Sequence, residues 1–122
     1  MLQTSFSVEE HEQLRALIAG QRQAALATLH QGRPAISMVT YAQDPDGNFL
    51  LHLSALAQHT SDLLARPELA LLICEPDTGA RNPQTLQRLS IEGRALLLKR
   101  DSAEYEAAKT IALLGGSMQQ AV

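Results

Sequence analysis

The chain has 122 residues, 45% of them hydrophobic and 19% charged, with a net charge of −3. That length suits a single domain spanning 1–122, one that buries roughly two-thirds of its unfolded surface, and the mild acidity gives no basic face for nucleic acid. No apolar run is long enough to span a bilayer, no basic-then-apolar leader opens the chain, and a lone Cys74 excludes an internal disulfide, so a cytoplasmic location is expected.

Ser7-Val8-Glu9-Glu10 reads as a capping box, with a serine oxygen for one N–H and a glutamate three residues on that reaches back. Leu14, Leu17 and Ile18 continue it as an apolar stripe, predicting a helix over about 7–20 that stops at Gly20. A β-meander follows. Ala24 to His30 and Ala35 to Ala42 are strands around a Gln31-Gly32-Arg33-Pro34 turn. Asp44-Pro45-Asp46-Gly47 turns the chain again into a strand from Asn48 to Leu53. Two tight turns between strands imply antiparallel hairpins.

Ser54 ends that strand and can cap a helix over Leu56 to Ala65, with Leu56, Leu63 and Leu64 near one face. Arg66-Pro67 closes it, because the residue before proline disfavours the helical region. Glu68 to Cys74 is a short apolar run that suits a buried strand, and Glu75 to Pro83 reads as a loop. Gln84 to Arg100 is the longest strand, with period-two alternation and Gly93 marking a bulge or a close approach. Asp101 or Ser102 caps a final helix over about 102–114, ended by Gly115-Gly116, and the tail from Ser117 frays. The order predicts a mainly β fold, an antiparallel barrel over about 22–100 with peripheral helices.

No short motif announces a site. There is no phosphate-binding glycine loop, and His11, His30, His52 and His59 lack zinc spacing, so no metal site is expected. The most informative run is Leu53-Ser54-Ala55-Leu56-Ala57-Gln58-His59-Thr60, a strand entering a helix whose N-terminal amides suit an anion. Read from the residues alone, the plainer account is a helix cap with solvated neighbours. Arg88, on the polar face of the long strand, suits phosphate or carbonyl oxygens, or simply a solvated strand face.

The ordered series Leu26-Ala27-Thr28-Leu29, Gly32-Arg33-Pro34, Ser37, Asp46-Gly47, Leu53 to Thr60, Leu63-Leu64, Pro67, Leu71-Leu72-Ile73 and Asn82 to Gly93 resembles the pyridoxamine 5′-phosphate oxidase-related family. Its branch looks like the one containing haem-utilisation proteins. The resemblance implies an FMN-binding split barrel, a homodimer with the cofactor at the interface, and oxidoreductase chemistry on an unknown small molecule. Carried over by position, Ser37, Met38 and Val39 lie along the flavin, Leu53 and Ser54 lie near it, and Gln58, His59 and Thr60 meet its phosphate. Arg88 falls where the oxidases use a glutamine. This sequence departs from the oxidases in lacking their arginine-and-lysine phosphate grip and the further strands that follow the last helix, which implies a shortened C-terminus. The alternatives are a haem-binding or haem-degrading protein drawing on His30, His52 and His59, or a cofactor-free dimeric relative.

Overall fold

The computed structural model describes residues 6–98 and 108–121. Helix α1 (Val8–Gly20) begins at Ser7 with the complete capping box: the Glu10 amide donates to Ser7 Oγ, and the Ser7 amide to Glu10 Oε1. Leu14, Leu17 and Ile18 form its buried face. Strands β1 (Gln23–His30) and β2 (Arg33–Gln43) form a hairpin closed by two residues. Gln31 and Gly32 both take positive φ, 53° and 77°, so the turn twists with the strands. The Asp44 loop leads to β3 (Phe49–Ser54), followed by α2 (Gln58–Ala65), β4 (Glu68–Cys74) and β5 (Arg88–Leu98). Strand β6 (Ala108–Ala121) completes a closed antiparallel barrel in the order β1-β2-β3-β6-β5-β4.

The alternation on β1 sets the inside and outside of the barrel. Leu26 and Thr28 point inward, and Ala25 and Ala27 outward. Leu26, Leu51, Leu71, Ile73, Leu89 and Ile91 fill the interior almost without exposure. The Tyr41 hydroxyl donates to the Ile18 carbonyl at 2.7 Å and pins α1 to the barrel. Burial holds the Tyr41 phenol above its ordinary pKa.

The expectations from sequence need three corrections. Backbone 108–121 is a strand paired with β3 and β5, whereas a helix over 102–114 and a frayed tail from Ser117 were expected; the predicted helix start lies outside the described residues. Pairing with two partner strands fixes this segment, and such non-local contacts override local helical preference. Helix α2 starts at Gln58, two residues after Leu56, which is 95% exposed in the preceding turn. Strand β5 starts at Arg88, because Pro83–Thr85 forms a 3-10 turn first. Gly93 does mark a bulge: the β5–β6 register shifts between Glu92 and Arg94.

Candidate functional site

Helix α2 packs against β1 and β2, and its buried face carries a carboxylate. Asp62 is 5% exposed. Its Oδ2 accepts from the Thr28 hydroxyl at 3.1 Å, and its Oδ1 lies 2.6 Å from His30 Nδ1. A carboxylate oxygen accepts, so Nδ1 carries the hydrogen of this bond. Thr28 and His30 lie two apart on β1, and one face of a strand repeats every two residues, so both reach the same helix. The His30 side chain is 39% exposed. Sequence reasoning gave Asp62 and Thr28 no role. The legible signal was an aspartate directly before Leu63 on the stripe that faces the core.

The β3–α2 junction is satisfied by its own groups. Ser54 Oγ accepts from the Leu56 amide at 3.2 Å, so it caps the turn, whereas a helix cap was expected. The residue at the helix start is Ala57, which offers no side-chain oxygen. Thr60 is 1% exposed, and its hydroxyl donates to the Ser54 carbonyl at 2.5 Å. Gln58 is exposed and His59 half-buried on the first turn of α2.

The remaining predicted residues are dispersed. Val39 and Leu53 point into the core. Ser37 also faces inward, and its buried Oγ has no hydrogen-bond partner among the described residues. Met38 faces outward. Arg88 is half-buried at the start of β5, with its Nε buried and without a partner among the described residues.

Met38 belongs to an apolar outer wall. Ile36 and Met38 stand beside Ala27 and Ala25 across the β1–β2 pair, and Ala70 and Leu72 continue the surface onto β4. Hollows of about 530 and 480 Å³ indent this wall. Ala25, Met38 and Leu72 line the first; Ala27, Pro34 and Ala70 line the second. No helix among the described residues is long and apolar enough to cross a membrane.

The profile of the family described as pyridoxamine 5′-phosphate oxidase matches residues 10–120. The chain is 39% identical over 103 residues to the chloroplastic heme oxygenase HOZ of Arabidopsis thaliana, covering 80% of this chain and 30% of that protein. It is 33% identical over 78 residues to the heme oxygenase HutZ of Vibrio cholerae, covering 63% of this chain and 44% of that protein. It thus spans less than half the length of these curated relatives. Among solved structures, the HutZ heme storage protein of Vibrio cholerae superposes with a TM-score of 0.76 at 18% identity, over 89% of this chain and 92% of that one. A heme binding protein of Mycobacterium smegmatis gives 0.72 at 22% identity, over 98% and 59%. These likenesses establish the split-barrel fold.

The curated relatives are named for haem, and that overturns the expectation of an FMN-binding flavoprotein oxidoreductase. The residues expected at the flavin divide between core and surface. The Thr60 hydroxyl is engaged by the backbone of Ser54, and Gln58 and His59 do not reproduce the arginine-and-lysine phosphate grip of the oxidases.

Proposed function

Because this chain belongs to the pyridoxamine 5′-phosphate oxidase family, we propose that it is a haem-binding member of it, acting as a pair of identical copies. The observation that carries this reading is the 39% identity, over 80% of the chain, to a protein named as a heme oxygenase. The donor set fits haem better than a bare metal ion. Among the described residues no three His, Cys, Asp or Glu side chains gather as ligands. Haem iron arrives with its porphyrin nitrogens in place and takes its axial protein ligand singly, often a histidine. Solitary histidines therefore suffice for this ligand.

The apolar outer wall supports pairing. Ile36 is 76% and Met38 63% exposed on β2, beside Ala25 and Ala27 of β1, with Ala70 and Leu72 of β4 beyond them. A contiguous apolar patch of this kind marks an interaction surface. A lone exposed Cys74 suits a reducing compartment such as the cytoplasm.

The test is titration of haemin into the purified chain, followed in the Soret region. A sharp, shifted band that saturates at one haem per protomer is the expected result. A broad band of free haem that never saturates overturns the proposal.

A further inference from the structure

Every arginine among the described residues is exposed except Arg88, which is half-buried. Arg81 pairs with Glu75 and Arg94 with Glu68, whereas Arg88 has no carboxylate partner among the described residues. It opens β5 on the outer face of the strand, since Leu89 and Ile91 point inward. Its cross-strand neighbours are Cys74 on β4 and Ala121 on β6, neither of them acidic. The sequence of β6 contains no Asp or Glu. Glu75, next to Cys74, is already committed: its Oε1 accepts from Arg81 and its Oε2 from the Gln87 amide at 3.0 Å. Glu92 lies farther along the same strand, about 13 Å away at the usual rise.

The guanidinium is drawn in without being paired. Its Nε is buried and has no hydrogen-bond partner among the described residues. One Nη donates to the Gln84 carbonyl at 3.5 Å, a long contact on the exposed side. Taking a cation out of water with a donor unpaired is costly, and such a group calls for a partner. Nε–H and the neighbouring Nη–H form a rigid fork whose spacing matches two oxygens of a carboxylate or phosphate.

Room for the rest of such a ligand lies beside it. Cys74 is one strand spacing from Arg88, about 4.8 Å, and lines the hollow of about 530 Å³ at the α1 end of the outer wall. Ala25, Met38 and Leu72 give that hollow an apolar side. Arg22, from the linker between α1 and β1, adds a second positive charge, and no acidic residue lines the hollow among the described residues.

We propose that Arg88 and this hollow bind an amphiphilic anion, with a carboxylate or phosphate head on the guanidinium fork and an apolar body against Ala25, Met38 and Leu72. The site is independent of the haem reading, and its test uses no haem. Octanoate, octyl phosphate and octanol are titrated into the full chain by isothermal titration calorimetry. Saturable binding of one anion per chain is expected, at least about 10-fold tighter than octanol, the gain from a charge-assisted bidentate contact. Arg88→Met, which keeps the apolar stem, is expected to bring the anion down to the octanol level. Arg22→Gln is expected to weaken the anion less, and Ala25→Phe, which narrows the hollow, to weaken all three probes. Tighter binding of octanoate assigns the head as a carboxylate, and tighter binding of octyl phosphate assigns it as a phosphate.

Equal affinity for anions and octanol, or no binding of any probe, overturns the proposal. So does a folded Arg88→Met variant that holds the anion as tightly as the wild type. If circular dichroism shows that Arg88→Met does not fold, Arg88→Lys decides. An ammonium cannot reproduce the fork, so that variant must lose anion affinity while keeping its affinity for octanol, and unchanged anion affinity overturns the proposal.

Discussion

Asp62 shows what one buried carboxylate asks of its surroundings. Two donors from a single strand satisfy it, and both are lost to it if the side chain is truncated. Asp62→Ala is expected to destabilise the fold by about 1–3 kcal/mol, the cost of leaving buried polar groups unpaired, measured by urea denaturation. Tyr41 gives a second prediction at the same scale. Its phenol is held above its ordinary value by burial. The folded state therefore prefers the neutral form, so its contribution is complete below about pH 10, the ordinary tyrosine value, and is lost as pH rises through the raised folded value. The ionised oxygen can no longer donate to the Ile18 carbonyl. Melting temperatures should fall in strong alkali for the wild type, and Tyr41→Phe should lack that part of the fall while starting about 0.5–1.5 kcal/mol lower at neutral pH.

Among the elements, the loop between β2 and β3 depends on Asp44. Its Oδ1 accepts from the amides of Asp46 and Asn48, and its Oδ2 from the Asn48 side chain. The Asn48 side-chain bond, then its backbone bond, hold the carboxyl below its ordinary value. A depressed folded value means that the stabilisation is present above the ordinary carboxylate range and is lost as pH falls through the folded value. The stability difference between the wild type and Asp44→Ala should therefore shrink in acid, as followed by thermal melts across that range. The same loop was plain in the sequence, because its Asp, Pro and Gly each have a local reason to turn. Helix α1 was equally plain, since both halves of its capping box lie within four residues. Strand β4 was readable from a continuous apolar run. Strand β6 was not, because its β3 ladder joins residues far apart in the chain, such as Leu50 and Ala112. The His30–Asp62 pair was hidden for the same reason: 32 residues separate the two, and Asp62 alone looks like an ordinary polar residue of a helix. At the junction the Thr60 hydroxyl donates to the Ser54 carbonyl, a partner that the sequence analysis did not assign it.

For the whole molecule, stability rests on the barrel interior, and Leu26 and Ile91 are buried to within 1%. Leu26→Ala is expected to cost about 2–5 kcal/mol in chemical denaturation, the usual range for a cavity left in a packed core. Ile36 and Met38 belong to the opposite category: replacing both with glutamate should leave a folded barrel and shift its mass in light scattering from two copies to one. An unchanged mass would show that the outer wall is not where the copies meet.

The position of β6 also bears on how the chain is made. It lies between β3 and β5, although it emerges from the ribosome after both. Until it arrives, β3 and β5 each present an unpaired edge, the kind of surface that recruits strands from other nascent chains. The β3–β6 ladder must then form between distant parts of the chain, which is a slow class of contact. The interval between synthesis of β5 and insertion of β6 is therefore when this protein has most need of a chaperone.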